Sequence, residues 1–133
     1  EHTADMKFQS FGKTLEEAFE NAAYALAETI TKKIKIESII KKTIKINGKD
    51  KEALLYNFLE EFLFLLDSEY FLLSKVNNLK ISEKSGKFEL TAEVIGDKAS
   101  NYKFTNNVKA ITYNKMFVKK EKDKWVCQVV VDV

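Results

Sequence analysis

One stretch near the middle of the chain, Lys51 to Leu66, limits the fold more than any other. Ala53, Leu54, Leu55, Phe58, Leu59, Phe62, Leu63, Phe64, Leu65 and Leu66 leave only Asn57, Glu60 and Glu61 as a polar stripe. On a helix of about 3.6 residues per turn that stripe covers roughly a quarter of the circumference. A helix packed on one sheet needs one apolar stripe, whereas this one is apolar on almost every side. Burial between two layers solves that problem. The pattern therefore predicts an α+β chain whose helices lie between β-sheet layers, a β/α/β sandwich. Asp50 is placed to cap this helix, after an Asn47-Gly48 turn.

The rest of the chain supplies the layers. Met6 to Phe11 alternates apolar and polar residues and reads as a first strand. Thr14 with Glu17 three residues on forms a capping-box pattern before a helix that fades near Thr31 to Lys33. Its apolar stripe runs Leu15, Ala18, Phe19, Ala22, Leu26, Ile30, and its alanines allow a close neighbour. Glu37 to Asn47 reads as a strand with Ile40, Ile44 and Ile46 on one face and Lys41, Thr43 and Lys45 on the other. Beyond the apolar helix everything is β. Tyr70 to Ser82 and Lys87 to Ile95 form a hairpin about Glu83–Gly86, and Gly96 to Asn107 is a polar loop. Val108 to Val118 is a strand, and a last strand carries Trp125, Cys127, Val129 and Val131 on one face and Val126, Gln128, Val130 and Asp132 on the other. No linker or repeat divides the chain, so residues 1–133 form a single domain of ordinary size.

Composition removes several function classes. Twenty-two basic against 20 acidic residues leave a net charge of +2, too even for a general nucleic-acid binder. All the basic residues are lysine, and bidentate reading of guanine favours arginine, so DNA is not an expected partner. The most apolar run, Ala53 to Leu73, is broken by Glu60, Glu61, Asp67 and Glu69, which argues against a membrane span. The lone Cys127 has no internal disulfide partner and suits a reducing cytosol, and no signal-peptide pattern opens the chain.

The candidate chemistry sits at the two ends. Asp5 opens the first strand within Glu1-His2-Thr3-Ala4-Asp5, and Asp132 closes the last one within Val130-Val131-Asp132-Val133. If those strands pair antiparallel, the two carboxylates meet, and a pair of like charges invites a hard cation held by oxygens. On pattern alone a solvated strand end is the preferred reading. Lys109, in Val108-Lys109-Ala110-Ile111-Thr112-Tyr113, is placed either to neutralise such a pair or contact phosphate, or to guard a strand edge; the pattern favours the edge. His2 has no second histidine for zinc chemistry and reads as a solvated residue; Cys127 reads as packing. Eight lysines between Lys32 and Lys51 offer a phosphate-binding face or a solvated strand edge, and without arginine or aromatic interleaving the edge is preferred.

Taken together, His2-Thr3-Ala4-Asp5, Thr14-Leu15-Glu16-Glu17-Ala18-Phe19, the leucine-rich helix ending in Leu65-Leu66-Asp67-Ser68-Glu69, Val108-Lys109-Ala110-Ile111-Thr112-Tyr113 and Val130-Val131-Asp132-Val133 resemble the archease family along nearly the whole chain. The resemblance implies two helices between β-layers. It also implies a cytoplasmic, non-enzymatic accessory protein of RtcB-type RNA ligases in tRNA splicing and RNA repair, which promotes ligase guanylylation and repeated turnover. The expected partner is that ligase, with tRNA or RNA associated indirectly and no membrane. The expected cofactor is a divalent metal, calcium in crystals. The family's metal-binding positions fall on Asp5 and Asp132, with the adjoining Val133, and its functional lysine on Lys109. Asn114 stands where the family often has histidine after the Lys-Ala-x-Thr-Tyr motif, and Ser100-Asn101-Tyr102-Lys103 lacks another usual histidine. A general chaperone-like binding module is the alternative function, and a metal-dependent phosphoesterase a weaker third.

Overall fold

A computed structural model describes residues 4–133. His2, with Glu1 and Thr3, lies outside the described residues. The alternation after Ala4 becomes strand β1 (Asp5–Gly12), which feeds helix α1 (Leu15–Thr31). Thr14 caps that helix by accepting from the Glu17 amide at 3.1 Å, and the Glu17 carboxylate reaches back to the Lys13 amide at 2.6 Å. Reciprocal capping of this kind satisfies first-turn donors that a helix cannot pair internally. Strand β2 (Ile40–Gly48) leads to helix α2 (Lys51–Glu69), whose cap Asp50 accepts from the Ala53 amide at 2.7 Å. Strands β3 (Phe71–Lys84), β4 (Lys87–Lys98), β5 (Ala110–Glu121) and β6 (Lys124–Asp132) complete the chain.

The strands form two antiparallel three-stranded sheets, ordered β1-β6-β5 and β2-β4-β3. Both helices lie between them: α1 packs on β1, β6 and β3, and α2 on β5, β2, β3 and β4. The all-round apolar character of α2 is thereby answered. Leu54, Leu55, Phe58 and Leu59 are fully buried, with Phe58 stacked on Phe19 of α1 and edge-on to Phe62. The α1 alanines Ala18, Ala22 and Ala23 are also buried and join the same core as the inward residues of both sheets.

Three details depart from the pattern reading. Phe64, counted with the apolar surface of α2, is 56% exposed, so the wet stripe of that helix is wider than its polar residues suggest. The segment after Gly96 begins as strand, because β4 continues to Lys98 before a single 3-10 turn at Ala99–Asn101. Gly96 has a packing reason, since a Cβ there would come within 1.8 Å of the Leu72 carbonyl oxygen on β3. Finally, β5 starts at Ala110 and slips register against β6 between Thr112 and Phe117. Lys115 adopts a left-handed backbone (φ 55°) in that bulge, with no glycine to mark it.

Candidate functional site at the paired chain ends

β1 and β6 run antiparallel, and their register places Asp5 directly opposite Asp132. The Val133 amide donates to the Ala4 carbonyl at 3.0 Å, so the neighbouring Ala4–Val133 position is a hydrogen-bonded one. Asp5–Asp132 is then a non-hydrogen-bonded pair, the closer kind, with Cα atoms about 4.5 Å apart in such ladders. Opposed residues of an antiparallel pair point to the same face. Val129 and Val131 are fully buried toward the helices, so both carboxylates project from the outward face of the sheet.

β6 is the central strand, and its other neighbour completes the arrangement. Ala110 of β5 sits across Asp132, and the Lys109 amide donates to the Asp132 carbonyl at 2.7 Å. An Asn106 side chain accepting from the Val108 amide at 2.9 Å orders the approach to Lys109. The Lys109 side chain is exposed and makes no ion pair among the described residues, so the alternative in which Lys109 neutralises the carboxylates is not realised in this structure. Asp5, Lys109, Asp132 and Val133 nevertheless converge within two hydrogen-bonded neighbours of one strand end.

This donor set fits a hard cation. Two opposed carboxylates repel by roughly 0.8 kcal/mol at about 5 Å in water, a penalty that a cation between them reverses. Valine has only main-chain oxygens to offer, and no cluster of three or more His, Cys, Asp or Glu residues suited to a metal exists among the described residues. Most ligands of a bound ion would therefore be water or groups of a partner molecule, as with cations held by one or two carboxylates plus phosphate.

Further along the same outward face lies a glutamine pair. Gln9 donates to the Gln128 side chain at 2.8 Å, and Gln128 donates to the Lys115 carbonyl at 2.8 Å, fastening the β5 bulge across the sheet. Asn114 lies in that bulge, exposed, its amide donating to the Thr112 hydroxyl at 3.3 Å. Cys127 faces inward and is packing, as its position among Trp125 and Val129 suggests. Burial pushes its thiol up to about 12, which keeps it protonated and unreactive.

Two further arrangements escaped the sequence reading. Asp97 is buried and accepts from Tyr102 at 2.7 Å, the Lys98 amide at 2.8 Å and Asn101 at 3.3 Å. Those donors, Tyr102 first, hold its carboxyl below the usual carboxylate range. The Tyr102 hydroxyl in turn accepts from the Glu37 amide at 2.9 Å, which ties the 96–107 segment to the entry of β2. Its signal was an aspartate straight after the packing-constrained Gly96. The second is a parallel stack of Tyr56 on Tyr113, ring centroids 4.2 Å apart, joining α2 to β5 at the last residue of the Lys109 motif.

Comparison with known proteins decides the family. The model of the Archease protein family matches residues 1–133. The chain belongs to the archease family. It is 41% identical to Protein archease of Pyrococcus furiosus and 38% identical to Protein archease of Methanosarcina barkeri, covering all of this chain and 95% and 92% of those proteins. Its fold matches the solution structure of Methanobacterium thermoautotrophicum protein 1598 with a TM-score of 0.84 at 34% identity, over 100% of this chain and 95% of the other. A crystal structure from Thermotoga maritima, described as an archease, possible chaperone, shares the fold with a TM-score of 0.64 at 22% identity, over 100% and 94% of the two chains. The sandwich of two helices between three-stranded sheets is thus the family architecture. No helix among the described residues is long and apolar enough to cross a membrane.

Proposed function

We propose that this archease-family protein is a non-enzymatic activator of an RtcB-type RNA ligase in tRNA splicing and RNA repair. It promotes guanylylation of the ligase and so supports repeated turnover. The observation that carries the reading is the direct opposition of Asp5 and Asp132 on the outward face of β1 and β6, with the main chain of Lys109 bonded beside them. Asp5 and Asp132, with main-chain oxygen from Val133, hold a divalent cation such as calcium. When bound, that cation supplies positive charge for phosphoryl oxygens. Lys109 extends a second positive charge at the same strand end and orients a phosphate of the ligase-bound nucleotide. The protein acts in the cytoplasm, and RNA reaches it through the ligase.

The test is ligase guanylylation with and without this protein. Asp132→Asn removes one of the two carboxylates at a half-buried strand end, and stimulation is expected to fall at least tenfold while the fold is retained. Unchanged stimulation overturns the metal-site reading.

A chaperone-like role is the second reading. It is supported by the exposed Phe64 (56%), Tyr113 (54%) and Phe11 (44%), and by the description of the Thermotoga maritima protein. Suppression of aggregation of several unrelated clients, insensitive to Asp132→Asn, would favour it over ligase activation.

A further inference from the structure

The open side of the sandwich, between the edge strands β2 and β5, is floored by the wet stripe of α2. Tyr56, Glu60 and Phe64 recur there at four-residue intervals, so they follow one another along a single face of the helix. Glu60 and Phe64 are exposed. Tyr56 lies flat against Tyr113 of β5, with ring centroids 4.2 Å apart and planes 4° from parallel. Tyr113 is the outer ring of the pair. Tyr56 covers one of its faces, so its large exposure falls on the other face and the rim.

Carboxylates flank this stack. Burial, and then Glu60, push the Tyr56 hydroxyl above its ordinary range; burial, and then Asp50 and Glu60, do the same to Tyr113. One oxygen of Asp50 is engaged by the Ala53 amide as the cap of α2. Glu60 also lines a cleft of about 450 Å³ together with Glu61 and Phe64. Burial, followed by the charge of Glu69, pushes the Glu61 carboxyl up as well. Lys45, which lines the same cleft, is held by Glu89 at 3.2 Å. Lys51, at the start of α2, lies over the Phe88 and Trp125 rings at 5.0 and 5.8 Å. An open aromatic face and negative charge therefore stand side by side.

A planar cation suits both. Guanidinium stacks flat on a tyrosine ring and pairs with carboxylates through a fixed fork of donors, whereas an ammonium is a compact point charge. A nucleobase also stacks on tyrosine, but its phosphates meet repulsion from Asp50, Glu60 and Glu61. The chain has no arginine, so a second copy cannot supply the guanidinium.

We propose that the Tyr56–Tyr113 stack, with Glu60 beside it, is a docking site for an arginine side chain of a partner protein. The guanidinium lies on the open face of Tyr113 and pairs with Glu60, and the partner segment continues along the cleft toward Phe64. Neither Asp5 nor Asp132 takes part, so this surface stands whether or not the chain ends hold a metal.

The probe is a blocked hexapeptide carrying two arginines among glycines, titrated into the isotope-labelled full chain and followed by amide chemical shifts. Its twin carrying two lysines is the control. The largest shifts are expected at Tyr56, Glu60 and Tyr113, with the arginine peptide binding about two- to fivefold tighter than the lysine peptide. Tyr113→Leu is expected to weaken arginine-peptide binding about two- to fivefold, the worth of an exposed cation–π contact, and Tyr113→Phe to retain it. Glu60→Gln should also weaken it, by less as salt is added. Spectral dispersion checks the fold of each variant, and Glu60→Gln decides the matter should Tyr113→Leu disturb β5. No shift at Tyr113, or equal affinity for the two peptides, overturns the proposal, as do shifts centred on Asp5 and Asp132. Larger shifts at Tyr113 with guanosine monophosphate than with the arginine peptide also overturn it. Concentration-dependent shifts at Tyr113 without any peptide, the mark of a second copy as occupant, overturn it too.

Discussion

On the outward face of the β2-β4-β3 sheet, Lys41 and Lys45 lie opposite Ile95 and Thr91 and reach diagonally to Glu93 and Glu89. On the outward face of the β1-β6-β5 sheet, Asp5 lies opposite Asp132, with a glutamine pair and the exposed Phe11 further along. Both faces cover the same core and belong to sheets of the same size and sense. Cross-strand neighbours of opposite charge attract and like charges directly opposed repel, each on the scale of about 0.2–1 kcal/mol. One face therefore settles its charges internally, while the other leaves charge for something outside the chain.

The comparison requires that the two sheets be one cooperative unit. Phe58 sits between them, and Phe58→Ala is expected to cost about 3–5 kcal/mol in urea unfolding. Trp125 fluorescence, which reports β6, should follow the same transition as far-ultraviolet circular dichroism. Two separate transitions would break the comparison, because each sheet would then answer to its own core. A smaller effect divides two lysines. Lys32→Gly relieves a left-handed side chain and is expected to stabilise by about 1 kcal/mol. Lys41→Gly, in an extended strand, should destabilise by roughly 0.5–1 kcal/mol.

Charge removal gives the next contrast. Asp5→Asn is expected to raise metal-free stability by about 0.2–1 kcal/mol, because it ends a like-charge opposition. Glu93→Gln should lower stability by no more than about 1 kcal/mol. Calcium at millimolar concentration should raise the melting temperature of the parent and leave that of Asp5→Asn unmoved. Equal responses of both proteins would remove the case for an ion at the strand ends. The smallest expected signal concerns the inward face of β6. Cys127 should resist iodoacetamide at pH 8 in the native state and react once unfolded, as its burial and raised thiol pKa require.

Much of this arrangement was legible because it follows from periodicity. The near-continuous apolar surface of α2 could be satisfied only between layers, and the alternation of β6 assigned Asp132 to the face opposite Val131. Antiparallel pairing of the terminal strands then placed Asp5 beside it. What periodicity does not encode stayed hidden. The end of α1 near Thr31 to Lys33 was read although no glycine closes it, but Asn78 and Lys115 hold left-handed backbones without glycine, so the bulges of β3 and β5 did not announce themselves. Phe64 is apolar in composition and wet in position, because α2 lies along the open side between the edge strands β2 and β5. The Asp97–Tyr102 bond depends on a 3-10 turn that no apolar spacing marks. The functional weight of Asp5, Asp132 and Lys109 came from family resemblance; spacing alone favoured ordinary solvated ends.

The pairing of β1 with β6 also gives the protein a schedule. β2, α2, β3 and β4 are contiguous in the chain and can assemble as they leave a ribosome. β1 emerges before the other described elements, yet its partner β6 is the last of them: Gln9 waits for Gln128, 119 residues later. At about 5–20 residues per second that is an interval of roughly 6–24 s. Throughout it one face of α1 lacks its covering strand β6, and Asp5 has nothing opposite it. The acidic pair is therefore assembled only once β6 has emerged, and a product terminated before Asp132 retains one carboxylate and loses the other.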